Sequence, residues 1–239
     1  MLRATGFSIA GSSLRLPCQD VDVPCSCCTS ESLDIFGEKG ARRELRRYLR
    51  KGLGGADARL IARWAAEGEL DGATVIEVGG GIGQIQVDLL RRGATRGTVV
   101  EVLGDYQGPA AELAAAAGVA DRSSFVLADL IETPDAVEPA DVVVLRRVVC
   151  CSPDGPELLA AAAGRTRHTL LASYPRDRVA VRVVLRLQNV ALALMRKRFR
   201  VYVHAPEDLR QAAARRGLGL ARISQGIAWE TAQFDVITS

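Results

Sequence analysis

A chain of 239 residues, of which 48% are hydrophobic, is long enough for one α/β domain with a small appendage. Its formal net charge of +3 lacks the strongly basic balance of a dedicated nucleic-acid-binding protein, and no apolar run reaches the roughly 18 residues that cross a bilayer. The apolar stretch from Gly6 to Ala10 is too short and too polar for a secretory signal, so we expect a cytoplasmic protein without a membrane span.

The N-terminal 34 residues have neither helical nor strand periodicity and are rich in Ser, Cys, Pro and Asp. Four of the six cysteines lie in this segment, and the other two are adjacent, at Cys150 and Cys151. In a cytosolic protein we expect them to be thiols. We interpret residues 1–70 as an irregular, Cys-containing arm followed by a helical cap, and residues 71–239 as a separate α/β domain.

The predicted cap consists of two helices. In residues 38–51 apolar side chains recur at helical spacing while arginines, including Arg42 and Arg46, cover the other faces. This pattern predicts an amphipathic, basic helix. After the glycines of residues 52–55, a second helix is predicted from Ala56 to about Glu67.

After Gly72, short β-branched runs alternate with Ala- and Leu-rich helical stretches, which is typical of βαβ units and a parallel sheet. Strands are predicted at 73–78, 98–103, 124–128, 141–146 and 168–173. Helices are predicted at 82–92, 107–117, 154–164, 179–195 and 206–216. Alternation from Leu218 to Ile237 predicts a closing pair of strands.

The most specific motif is a hydrophobic run that ends in a glycine-dense turn and opens a helix. Its glycines follow a G-x-G-x-G spacing, with the acidic residue Glu77 two positions before the first of them: Gly79, Gly80, Gly81 and Gly83. Only small residues let a backbone turn so tightly against a ligand. The alternative is a tight turn between strand and helix that holds no ligand.

This motif resembles motif I of class I S-adenosylmethionine-dependent methyltransferases. The resemblance implies a Rossmann-like three-layer α/β sandwich with a mostly parallel seven-stranded sheet, an antiparallel closing strand and an N-terminal helical cap. It also implies S-adenosylmethionine as the cofactor. The glycines would shape the cofactor pocket, and Glu77 would help to organise the site and the cofactor ammonium.

Acidic residues follow the next two predicted strands. Glu101 ends the second strand about 20 residues after the glycines, where an acid accepts hydrogen bonds from ribose hydroxyls; Asp105 is the alternative. Asp129 ends the third strand, where the family uses an acid and the next backbone amide, here that of Leu130, to fix adenine. An ordinary helix N-cap is the other interpretation of Asp129. Arg146, at the end of the fourth strand, completes the predicted cofactor-binding set.

The segment from Gly164 to Phe234 resembles the C-terminal half of magnesium protoporphyrin IX O-methyltransferases. They too follow the fifth strand with a proline, an apolar helical insertion, a basic turn, a helix and a final strand pair. The resemblance implies a small-molecule acceptor, for example a carboxylate such as a tetrapyrrole propionate. The candidate acceptor-binding residues at this edge of the sheet are Arg147, Tyr174, Arg176, Cys150 and Cys151; for Tyr174, a packed aromatic side chain is the equal alternative.

The cysteines leave a second possibility open. Thiolates bind soft ions, and Cys25, Cys27 and Cys28 could meet Cys150 and Cys151 above the cofactor. The C-x-C-C spacing matches no strong zinc pattern, and free cysteines are commonly small buried hydrophobes, so no resident metal is predicted. The alternatives are a metalloid or thiol methyltransferase, a metal-sensing module, and a nucleic-acid methyltransferase that uses the basic helix. The sequence identifies neither a catalytic base nor an oligomeric state.

Overall fold

The structure, a computed structural model, describes residues 35–68 and 70–237. The two cap helices are α1 (Glu38–Lys51) and α2 (Ala56–Glu67). The strands are β1 (Thr74–Val78), β2 (Arg96–Glu101), β3 (Ser123–Leu127), β4 (Ala140–Arg146), β5 (Thr166–Pro175), β6 (Leu218–Gln225) and β7 (Trp229–Val236). The remaining α-helices are α3 (Gln84–Arg91), α4 (Gln107–Ala116), α5 (Gly155–Ala163), α6 (Val179–Leu194) and α7 (Pro206–Ala214). These helices and the first five strands begin and end within two residues of the predicted positions, and the predicted closing strand pair is β6 and β7.

The seven strands form one sheet in the order β3-β2-β1-β4-β5-β7-β6. The first five strands are parallel, and β7 runs antiparallel to both β5 and β6. The prediction of a mostly parallel sheet with an antiparallel closing strand is confirmed. The chain leaves β1 toward β2 on one side and returns to β4 on the other, so the crevice at the carboxyl ends of β1 and β4 is the topological switch point where open α/β sheets bind ligands.

Both faces of the sheet are covered by helices. Val75 and Val144 pack in a hydrophobic cluster with side chains of α1 to α4, whereas Ile76 and Val143 pack in a second cluster with α5 and α7. This alternation explains why the central strands are continuous apolar runs, since a parallel strand is buried on both sides. The cap helices share the first cluster with the sheet; the division at residue 70 stays a prediction.

Helix α6 contacts the rest of the molecule along only one narrow side, on which Leu192 is buried. Its outward face is aliphatic and exposed, with the highest exposure at Val179 (79%) and Leu194 (80%). Within the described residues, no helix is long and apolar enough to span a membrane.

Candidate cofactor site

The glycine loop connects β1 to α3 at the switch point. Gly79, Gly81 and Gly83 have φ values of 59°, 57° and 74°, in the left-handed region that side chains rarely adopt. A Cβ on Gly79 would overlap the side chain of Val148, and one on Gly83 would lie 2.6 Å from Cγ2 of Val99. Backbone conformation and close packing both require glycine here, independently of any ligand.

Glu77 lies beneath this loop and is almost completely buried. One carboxylate oxygen accepts hydrogen bonds from the backbone N–H groups of Ile85 (3.1 Å) and Gln86 (2.8 Å), in the first turn of α3. Burial raises the pKa of Glu77 to about 7, although these two hydrogen bonds and Arg146 oppose the increase. Glu77 therefore fixes the direction in which α3 leaves the loop, a structural role that the sequence did not reveal.

The raised pKa makes a testable prediction about stability. Between pH 4.5 and about 7 the folded protein keeps a proton on Glu77 that the unfolded chain releases. The free energy of unfolding should therefore fall as pH rises through this window. Glu77→Gln should have a flatter pH dependence, since the amide does not ionise. Urea denaturation of both proteins at about pH 5 and about pH 7.5 measures the difference, and equal pH slopes would contradict the assignment.

Glu101 lies at the carboxyl end of β2 and links this strand to the glycine loop. One oxygen accepts a hydrogen bond from the backbone N–H of Gly81 (3.0 Å), and the other accepts one from Val102 (2.9 Å). Burial raises the pKa of its carboxyl group. Asp105 is instead exposed, and it accepts a hydrogen bond from the backbone N–H of Glu38 at the start of α1 (3.3 Å). Of these two acids, Glu101 is therefore the one that contacts the glycine loop.

Two further residues, Glu44 and Tyr106, lie beside the glycine loop and were not predicted from the sequence. Glu44 of α1 is half-buried, and its carboxylate lies 3.5 Å from the position that a Cβ on Gly81 would occupy. The ring of Tyr106 lies 3.0 Å from the same position. Burial raises the pKa of Glu44, and the neighbouring charge of Glu101 adds to the increase. The only sign of Glu44 in the sequence was its position next to Leu45, one of the apolar residues that recur at helical spacing in α1.

A partly buried ion-pair cluster joins the cap to the end of β4. Asp57, in the first turn of α2, accepts hydrogen bonds from Nε of Arg146 (3.1 Å) and from Nε of Arg147 (2.7 Å). Burial alone would raise the pKa of Asp57, but the two guanidinium groups hold it below its usual value. The guanidinium of Arg147 also lies over the ring of Trp229, 4.3 Å from its centroid. Arg146 and Arg147 thus share one carboxylate, and both were predicted to lie at the carboxyl edge of the sheet.

The predicted adenine-binding residues follow β3. The Asp129 carboxylate accepts a hydrogen bond from the backbone N–H of Ile131 (2.9 Å), and Leu130 is buried. Beside them, the apolar side chains of Val102 and Leu127 are exposed to 36% and 58% at the ends of their strands. The arrangement leaves an apolar, solvent-accessible edge next to Glu101.

Two acceptor-binding candidates lie deeper than the sequence suggested. Tyr174 is 1% exposed and donates a hydrogen bond from its hydroxyl group to Glu230 (3.0 Å). Arg176 is largely buried, and its guanidinium donates to the carbonyl oxygen of Gly226 (2.8 Å). These contacts favour the packed-aromatic interpretation of Tyr174 and hold Arg176 against the β6–β7 turn.

The two adjacent cysteines lie in a short 3-10 turn, Val149–Cys151, that follows Arg147. Cys150 is buried and Cys151 is partly buried, and both are free thiols. Cys25, Cys27 and Cys28 lie outside the described residues. Within the ranges 35–68 and 70–237, no group of three or more His, Cys, Asp or Glu side chains is placed to hold a metal ion.

The strand order, with β7 antiparallel beside β5, matches the Rossmann-like fold of class I S-adenosylmethionine-dependent methyltransferases. Solved structures with this fold match the chain over most of its length. The magnesium protoporphyrin IX methyltransferase of Synechocystis PCC 6803 with bound SAH (S-adenosylhomocysteine) has a TM-score of 0.65 and 18% identity, covering 85% of this chain and 97% of that chain.

Two further neighbours are O-methyltransferase family proteins. The protein from Burkholderia thailandensis has a TM-score of 0.67 and 16% identity, over 87% of this chain and 62% of that chain. The family 2 protein from Planctomyces limnophilus, in complex with apigenin, has a TM-score of 0.61 and 20% identity, over 84% of this chain and 62% of that chain. No protein-family model and no curated protein sequence matches the chain.

Proposed function

We propose that this protein is an S-adenosylmethionine-dependent methyltransferase that acts on a small-molecule acceptor. The observation that carries the proposal is the hydrogen bond that the Gly81 backbone N–H donates to Glu101. It joins the acid at the end of β2 to the glycine loop at the switch point. A βα turn without a ligand needs the glycines but does not need a buried carboxylate beside them. Neighbours of the same fold contain bound SAM or SAH.

The charges around the loop fit this cofactor. The carboxylates of Glu44 and Glu101 lie beside Gly81, whereas the carboxyl group of Glu77, which keeps its proton up to about pH 7, lies beneath the loop. S-adenosylmethionine brings a positive ammonium and a positive sulfonium, whose methyl group is the one transferred. We assign the ribose hydroxyls to Glu101 and the adenine to Asp129 with the Leu130 amide, beside the exposed Val102 and Leu127 side chains.

On the acceptor side, the geometry favours an anionic group. Arg146 and Arg147 share the single carboxylate of Asp57. The Arg147 side chain is 41% exposed and thus accessible to a ligand. Guanidinium groups bind carboxylates in a planar, two-point geometry. A carboxylate is already nucleophilic at neutral pH, so the protein's contribution would be to align it within about 3 to 3.5 Å of the methyl group and to exclude water.

The acceptor is best identified by a screen that measures SAH formation. Tetrapyrroles with propionate groups, simple carboxylic acids, thiols and trivalent metalloids would be tested with the full chain and S-adenosylmethionine. We expect turnover with a carboxylate, and Arg147→Ala should reduce it mainly through a higher KM. Turnover restricted to thiols or metalloids would overturn the anionic-acceptor assignment while leaving the cofactor assignment intact.

The ribose assignment is tested by a pair of variants. Glu101→Ala should weaken SAH binding by about 1 to 3 kcal/mol, the range for leaving buried polar groups without a partner. Asp105→Ala is the matched control, because this acid is close in sequence but bonds to α1, and it should leave SAH affinity unchanged. Calorimetry measures both. The opposite pattern would assign the ribose to Asp105.

A further inference from the structure

The thiols of Cys150 and Cys151 lie on the same side of one turn. The Cys150 Sγ–H donates to the carbonyl oxygen of Arg147 at 3.4 Å, and the Cys151 Sγ–H donates to the same oxygen at 3.3 Å. In an extended strand, consecutive side chains point to opposite faces. Here the positive φ of Arg147 (56°) and the 3-10 turn bring the two sulfur atoms together.

This pair is held in place by the rest of the fold. The carbonyl oxygen of Cys150 accepts a hydrogen bond from the backbone N–H of Tyr202 (2.8 Å). The Nε2 atom of His204 lies 3.1 Å from the carbonyl oxygen of Val149 and 3.0 Å from that of Ser152. Both ends of the turn are therefore anchored to the segment before α7, so the two thiols are preorganised.

The turn also borders the proposed cofactor site. The side chain of Val148 fills the space that a Cβ on Gly79 would need, so the turn and the glycine loop are in direct contact. The interaction with Cys150 raises the pKa of the Cys151 thiol far above its usual value; burial and the negative charge of the nearby Glu101 act in the same direction.

We propose that Cys150 and Cys151 form a chelating site for trivalent arsenicals, and that an arsenical bound there opposes cofactor binding. An aryl arsenoxide and two thiols give two As–S bonds and one water molecule. Arsenic stays trivalent, so no oxidant or reductant is needed. Soft sulfur ligands suit this soft metalloid. Chelation removes both thiols from the Arg147 carbonyl oxygen and so disturbs the turn that follows Val148, whose side chain packs against Gly79 of the glycine loop. The second part of the proposal rests on the proposed function.

The site is tested with phenylarsine oxide on the full chain. The N-terminal cysteines include a second adjacent pair, so the test uses a background with four substitutions: Cys18→Ser, Cys25→Ser, Cys27→Ser and Cys28→Ser. Intact-mass spectrometry should show one phenylarsenic group per chain that survives excess monothiol and is removed by 2,3-dimercaptopropanol. Adding Cys151→Ser should abolish the monothiol-resistant adduct. No adduct, or an adduct that the Cys151→Ser variant keeps, would overturn the site.

The coupling is tested by SAH calorimetry on the same background with and without the arsenical. We expect SAH affinity to fall at least tenfold when the adduct is complete and to recover after treatment with the dithiol. Unchanged affinity would overturn the coupling while the adduct still establishes the site. If the untreated protein bound no SAH, the proposed function would fail, and the mass measurement would still decide whether the dithiol site exists.

Discussion

Gly81→Val is expected to weaken SAH binding by about 100-fold or more, which corresponds to about 2.7 kcal/mol. The backbone at Gly81 is left-handed, with φ at 57°, and its N–H donates to Glu101. A side chain would meet the ring of Tyr106 at 3.0 Å and project toward Glu44, into the space that we assign to the cofactor. Calorimetry with SAH measures the loss.

Gly118→Val is the matched control for this variant. Gly118 also has a left-handed backbone, with φ at 69°, but a Cβ there would have no heavy atom within 4 Å. Both variants therefore incur the backbone strain of a β-branched residue at positive φ, and both should melt at a lower temperature than the unsubstituted protein. Only Gly81→Val should lose SAH binding; equal affinity in the two variants would contradict the site.

Asp57→Ala should lower the free energy of unfolding by about 3 kcal/mol, the lower end of the range for removing one partner of a buried ion pair. Asp57 is 6% exposed, and its removal leaves both Arg146 and Arg147 without their carboxylate. We take the lower end because Arg147 is 41% exposed and retains some hydration. Urea denaturation measures the change.

A surface ion pair provides the control for Asp57. Glu112 is 60% exposed and lies 3.5 Å from Arg42, which is 48% exposed. Glu112→Ala should lower the free energy of unfolding much less than Asp57→Ala, because exposed ion pairs contribute little. If Asp57→Ala cost no more than Glu112→Ala, the cluster would not be what holds α2 to the end of β4.

Local patterns predicted the strands and most of the helices because their hydrophobic residues face one of the two hydrophobic clusters. In β1, Val75 and Ile76 alternate between the two hydrophobic clusters, and the glycines that follow adopt left-handed backbone conformations that other residues rarely reach. The length and position of α6 were also predictable from its apolar sequence. Its exposed aliphatic face was not, because an apolar pattern does not specify what covers a helix.

The contacts within the site could not be predicted, because they join residues far apart in sequence. Asp57 meets Arg147 across 90 positions, and Glu44 approaches Gly81 from a separate helix. In the sequence, Asp57 and Glu44 are each one acidic residue on an amphipathic helix. Such a side chain usually faces solvent. The assignments of Asp129 and Leu130 remain predictions, since their positions fit the adenine edge and only a bound cofactor would test them.

The most direct test of the central claim is a calorimetric titration of the unsubstituted full chain with SAH. The proposed site predicts saturable binding with one SAH per chain, and S-adenosylmethionine should compete for it. The same titration with Gly81→Val should give an affinity at least about 100-fold lower, whereas Gly118→Val should bind as the unsubstituted chain does. Absence of SAH binding to the folded, unsubstituted protein would contradict the assignment of the glycine loop as a cofactor site.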